Sequence, residues 1–192
     1  MLEVYGITFP EQISPIEQKK LLRLVPPARL VRAKGRKLPL STLVTWAMGG
    51  YAIRKHLGTD AVNALCYTEQ GAPYLDGYSI HISISHSKGH GLFVLSDQPI
   101  GCDVETIRPI SARITQRMLH PDEDPAQFLA YWTLKEATVK LHGGSAAPFQ
   151  DMRFRLEGDC AVGAGVRGWL YRQELPGAVV AVVAVVRRAV DS

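Results

Sequence analysis

Apolar and polar positions alternate from Leu2 to Thr8, which predicts a first strand that Pro10 closes. Ser14 precedes Pro15 with Glu17 three residues on, a capping-box spacing. The helix it opens runs to about Leu24, where Pro26-Pro27 stops it. Between residues 41 and 57, Leu43, Trp46, Ala47, Ile53 and Leu57 recur at helical spacing and predict a long helix. Gly49-Gly50 in its middle costs helix stability, so close packing is the expected reason for the pair. Residues 63–68 read as a strand, Gly71-Ala-Pro-Tyr74 as a turn and 78–83 as another short strand. A polar turn through Ser85, His86, Ser87 and Lys88-Gly89 leads into the apolar strand 92–96, then the extended segment 100–105. Such short connections predict antiparallel pairing.

A second run of the same kind follows. Ile110, Ile114 and Met118 outline a helix within 109–119, and His120-Pro121 ends it. Asp122-Glu-Asp124 and Pro125 open another helix, with acids at its positive end. It runs to about His142, with Phe128, Leu129, Trp132, Ala137 and Leu141 on its apolar side and Gly143-Gly144 as its cap. Three strands, 152–156, 169–175 and 178–186, finish the chain. Each long helix holds a Trp beside a Thr, and Gly91 and Gly177 both open apolar strands. The expected class is therefore α+β: two similar halves, 1–100 and 101–192, related by a pseudo-twofold, each with an antiparallel sheet and a long helix.

The chain has 192 residues, 46% apolar and 21% charged, which suits a folded domain and excludes a disordered one. A net charge of +4 favours anionic partners but is too mild, and too scattered, to single out nucleic acid. Cys66, Cys102 and Cys160 lie far apart, which argues against a zinc site or a disulfide framework. The nine-residue apolar run 178–186 is too short for a membrane helix, and the start of the chain lacks a signal-peptide pattern. A reducing, cytoplasmic setting is expected.

Asp103 and Glu105 alternate in an extended segment, so their carboxylates share a face about 6.6–6.8 Å apart along the chain. They repel unless a cation lies between them; a hard divalent ion is one answer and a solvated strand edge the other. Arg29, Arg32, Lys34, Arg36 and Lys37 form either a phosphate clamp or a solvated basic surface. His86 stands where strand gives way to turn, and Gly89 argues against a helical metal pair with His90. Glu136 and Lys140 share a helix face at i and i+4, as an ordinary ion pair or as a third carboxylate with a phosphate-facing lysine.

Taken in order, Ser85-His86-Ser87, Gly101-Cys-Asp103-Val-Glu105 and Trp132-Thr-Leu-Lys135-Glu136-Ala-Thr-Val-Lys140 resemble the 4′-phosphopantetheinyl transferase family, in its Sfp-type, two-half form. Gly71-Ala-Pro73 matches the family turn upstream, although the lysine usual at its centre is Ala72 here. The resemblance implies the fold of that family and transfer of 4′-phosphopantetheine from coenzyme A to a serine of an acyl or peptidyl carrier protein, releasing adenosine 3′,5′-bisphosphate. It implies Mg²⁺, or Mn²⁺, held by Asp103, Glu105 and Glu136. It implies 3′-phosphate contacts in the N-terminal half from Ser85 and His86, with Arg29, Arg32, Arg36 and Thr42 as candidates of uncertain register. Lys135 and Lys140 would meet the diphosphate, and Glu136 and Lys140 would act as base and acid. Two halves in one chain imply a monomeric site. The rival readings are another Mg²⁺-dependent phosphohydrolase or nuclease, and a basic nucleic-acid-binding module.

Overall fold

A computed structural model of the chain describes residues 1–144, 147–171 and 175–185. The N-terminal elements are β1 (Leu2–Thr8), α1 (Pro15–Leu22), α2 (Pro27–Arg32), α3 (Leu40–Leu57), β2 (Leu65–Tyr67), β3 (Pro73–Leu75), β4 (His81–Ser87) and β5 (His90–Ser96). The rest comprises β6 (Ile100–Thr106), α4 (Ala112–Met118), α5 (Phe128–Leu141), β7 (Phe154–Glu157), β8 (Cys160–Gly163), β9 (Val166–Leu170) and β10 (Ala178–Val185). The class is mixed α+β with antiparallel sheets: one ordered β1-β5-β4, one ordered β6-β10-β9-β8-β7, and the β2-β3 hairpin. Among the described residues no helix is long and apolar enough to cross a membrane.

Local signals explain most of these elements. Ser14 and Glu17 close the capping box on α1, each accepting from the other's backbone N–H. In α3 the glycine pair is a packing device: a Cβ on Gly50 would fall 1.9 Å from the Leu24 carbonyl oxygen, and one on Gly49 2.7 Å from the Phe93 ring. Leu43, Trp46, Ala47 and Ile53 thereby bury against Phe93, Leu95 and Ile82. On the other side α5 buries Phe128, Leu134 and Ala137 against Phe154, Leu170, Ala181 and Val183. A third cluster joins Leu92 and Val94 to Cys102, Val104, Val180 and Val182.

The structure redraws the expected layout: the strand expected over 169–175 is β9, which begins at Val166 and ends at Leu170. The strand expected to end at residue 83 runs on through Ser87, so Ser85 and His86 are strand residues rather than turn residues. The C-terminal part holds a strand the periodicity missed, Cys160–Gly163, between two tight hairpins. Ala164 and Gly165, both at positive φ, form the two-residue turn that carries β8 into β9. Residues 172–174 and 186 of the expected last strands lie outside the described residues.

Candidate active site

The site lies where the two larger sheets meet, along the edges of β4 and β6. Side chains make this join. Ser83 accepts the Cys102 N–H at 3.0 Å, Ser87 accepts the Thr106 N–H at 3.2 Å, and between them Ser85 donates to Asp103 Oδ1 at 2.6 Å. Alternation along β4 points all three hydroxyls at β6. The same alternation sorts β6. Ile100, Cys102 and Val104 pack into the core with Val180 and Val182, while Gly101, Asp103 and Glu105 face α5. The glycine of that G-x-D-x-E pattern has a steric cause. A Cβ on Gly101 would lie 2.0 Å from the Ala137 carbonyl oxygen, so only glycine lets α5 come this close.

That approach puts Trp132, Glu136 and Lys140, spaced four apart on one helix face, over the two β6 carboxylates. Lys140 Nζ donates to Asp103 Oδ1 at 2.6 Å and to Ser85 Oγ at 2.8 Å, reaching across to the strand. Glu105 is held at both oxygens: the Trp132 indole donates to Oε1 at 3.2 Å and Ser87 to Oε2 at 3.4 Å. Burial raises the Glu105 pKa from its ordinary value, with the Asp103 charge adding to it. Glu136 is raised in the same way, by burial first, then by Asp103 and, after the opposing Lys140 charge, by Glu105. Asp103 is buried, and its Oδ2 is a buried oxygen without a hydrogen-bond partner. Such an orphaned acceptor is costly in a folded chain unless a ligand meets it.

Three neighbouring carboxylates, two of them with pKa values raised by burial and by the Asp103 charge and the third with a buried, unpartnered oxygen, suit a hard cation, which takes oxygen ligands. They are not drawn together into a ligand cage: no metal-ready group of three His, Cys, Asp or Glu exists among the described residues. Beside them a cleft of about 440 Å³ opens between the sheets, lined by Gly71, Ala72, Pro73, Ile82, Lys140 and Gly144 among others. Its volume lies in the usual range for small-molecule sites.

His86 stands exposed at the rim, its Nε2 3.4 Å from the Thr42 hydroxyl. Surrounding protein lowers its pKa first, and the Lys140 charge lowers it further. Arg29 is near enough to add to that effect, and Arg32 lies 4.4 Å over the Tyr67 ring, beside the Gly71 turn. Arg36 is exposed after α2, and the described contacts do not join it to this group. Lys135 is not part of the site. Expected to meet a diphosphate, it is fully buried on another face of α5, bonded to Glu123 Oε2 at 2.5 Å and to the Met118 carbonyl at 3.0 Å. One residue along a helix turns a side chain by about 100°, so Lys135 and Glu136 cannot share a face. Glu123, read from sequence as one of the acids at a helix start, is buried and also accepts from His120 N and Phe154 N. Ser87 and Trp132 were not among the site residues expected from sequence; the alternating serines at 83, 85 and 87 were the available signal.

The chain matches the family model of the 4′-phosphopantetheinyl transferase superfamily over residues 99–175. Over 177 residues it is 25% identical to a 4′-phosphopantetheinyl transferase of Bacillus subtilis, covering 82% of this chain and 78% of that protein. Over the same length it is 26% identical to the 4′-phosphopantetheinyl transferase Sfp of Bacillus subtilis (strain 168), with the same 82% and 78% coverage. It is 32% identical over 114 residues to the 4′-phosphopantetheinyl transferase AcpT of Escherichia coli (strain K12), covering 52% of this chain and 58% of that protein.

Proposed function

We propose that the chain transfers 4′-phosphopantetheine from coenzyme A to a serine hydroxyl of a carrier protein, releasing adenosine 3′,5′-bisphosphate. The observation that carries this reading is the convergence of Asp103, Glu105, Glu136 and Lys140 beside an inter-sheet cleft, with Asp103 Oδ2 left unpartnered. Phosphoryl-group chemistry depends on positioning and charge neutralisation more than on covalent help. Mg²⁺, or Mn²⁺, held by Asp103, Glu105 and Glu136 would neutralise the pyrophosphate and polarise the phosphorus under attack. Lys140 lies on the cleft wall with its ammonium beside Asp103, placed to meet a phosphate oxygen and to give the departing phosphate a proton. Glu136 has a raised pKa, which makes its carboxylate a stronger base toward a serine hydroxyl, directly or through a water. His86 at the rim, with the buried Thr42 and Ser85 beneath it and Arg29 and Arg32 nearby, would give a 3′-phosphate charge-assisted hydrogen bonds. Lys135 has no part in this scheme.

Incubating the protein with coenzyme A, Mg²⁺ and a panel of apo carrier proteins, followed by intact-mass measurement, tests the reading. A gain of one phosphopantetheine on a carrier supports it. No gain on any of the fatty-acid, polyketide and peptide-synthetase carriers, combined with phosphoester hydrolysis in their absence, would replace it with a hydrolase.

A further inference from the structure

Glu105 has a hydrogen-bond donor on each of its two carboxylate oxygens. Its Oε1 accepts from the Trp132 indole at 3.2 Å, its Oε2 from Ser87 at 3.4 Å, and the Arg108 guanidinium lies 4.0 Å away. Indole nitrogen is a donor only, so the Trp132 bond has a fixed direction. The indole is itself held. It stacks on Phe128 with ring centres 5.8 Å apart and meets Phe149 edge-on at 5.4 Å. Trp132 also sits one helical turn before Glu136 on the same face of α5. One rigid ring thus fixes the carboxylate on the strand, and its own helix carries the carboxylate opposite.

From this geometry we infer that Trp132 is a positioning residue for the metal-holding group: its indole N–H orients the Glu105 carboxylate for a divalent cation shared with Asp103 and Glu136. The inference rests on the metal reading proposed above. Outer partners that orient a ligating carboxylate typically contribute about 10–100-fold in metal affinity. The alternative is that Trp132 only fills space between Phe128 and Phe149, in which case the N–H is incidental.

The test separates the ring from the proton. Mn²⁺ binding is followed by electron paramagnetic resonance with coenzyme A present and no carrier, so no turnover enters the measurement. Trp132 is replaced by benzothienylalanine, which keeps the fused ring and has sulfur in place of N–H, and separately by Phe. Both should weaken Mn²⁺ by about 10-fold or more, while thermal melting of the benzothienylalanine protein stays near that of the unaltered chain. An unchanged isotherm with benzothienylalanine overturns the inference, whatever Phe does. Glu105→Gln is the control for the reading beneath it. If Glu105→Gln binds Mn²⁺ as tightly as the unaltered chain, Glu105 does not hold the metal, and both ideas are overturned together. If Glu105→Gln loses Mn²⁺ while benzothienylalanine does not, only the role of Trp132 is overturned.

Discussion

Replacing Gly101 with alanine should damage the site without touching a functional side chain. The new Cβ would lie 2.0 Å from the Ala137 carbonyl oxygen and 2.8 Å from Leu141 N, where real Cβ contacts essentially never fall below 3.0 Å. The nearest atoms are helix backbone, so no side chain can rotate away, and β6 and α5 must part by about 1 Å (3.0 minus 2.0 Å). Overpacking of this kind costs ~1–3 kcal/mol. At ~2–4 °C per kcal/mol for a domain of this size, the melting temperature should fall by about 2–12 °C. The parting also lengthens the 2.6 Å contact between Lys140 and Asp103. A misplacement of ~1 Å in a catalytic constellation can cost about 100-fold in rate, so kcat should fall by that order in the folded variant. Gly168→Ala is the control. Its Cβ would meet Leu134 Cδ2 at 2.4 Å, the far end of a side chain that can move, so it should lose stability with kcat kept within a few-fold. Melting curves and carrier-modification kinetics on both variants decide the matter. If Gly101→Ala transfers at the unaltered rate, the close approach of strand and helix is not what places Lys140.

Asp103→Ala and Glu136→Ala should each abolish carrier modification in saturating Mg²⁺ with the fold intact; a near-normal rate in either removes that residue from the machinery. Glu105 and Glu136 have raised pKa values in the folded chain, so their favourable contribution is complete below the ordinary unfolded value and is lost as pH rises through the raised ones. Metal-free protein should therefore melt higher near pH 5 than near pH 8 in this respect, and Mg²⁺ should raise the melting temperature more at the higher pH. A Mg²⁺ effect independent of pH would count against metal binding at these carboxylates. Lys135→Met leaves Glu123 buried and unpaired and should cost about 3–5 kcal/mol in chemical unfolding; a cost under about 1 kcal/mol would mean the pair is not structural. On α4, Arg113 and Arg117 are exposed and Ile114 is 42% exposed, whereas Leu119 is in the core and Met118 packs against it. Arg117→Glu should raise the KM for an acidic carrier several-fold and leave that for coenzyme A unchanged; equal effects on both would place carrier docking elsewhere.

What was readable in the chain divides along physical lines. Long helices and the acidic strand announced themselves, because helical spacing of Leu43, Trp46 and Ile53 and the D-x-E alternation follow from backbone geometry alone. Asp103 and Glu105 on β6 face Glu136 and Lys140 on α5, but their order in the chain said nothing of Gly101, whose role is set by a helix more than thirty residues on. Ser85 and Ser87 read as a turn because serine is a turn former, yet on β4 their hydroxyls do the work of ladder partners for β6. The family resemblance implied Lys135 as a diphosphate ligand; only the packed helix reveals that it faces away from Glu136. Glu123 read only as one of the acids at a helix start, since nothing local to 122–124 records that Lys135 and two backbone N–H groups meet it.

The serine join between β4 and β6 has a mechanical consequence. Among the described residues, the strand ladders of the two larger sheets close separately, within 2–96 and within 100–185. A ladder breaks cooperatively, but hydroxyl bonds worth roughly 0.5–1.5 kcal/mol each can be traded for water one at a time. Along this edge, beside the buried apolar cluster that also joins the sheets, the serine contacts form a compliant weld within one chain. Asp103 and Glu105 are themselves among its rivets, through Ser85 and Ser87. Any force that spreads the cleft therefore also rotates the carboxylates, so the gap between the sheets and the geometry of the reactive groups are one coordinate rather than two.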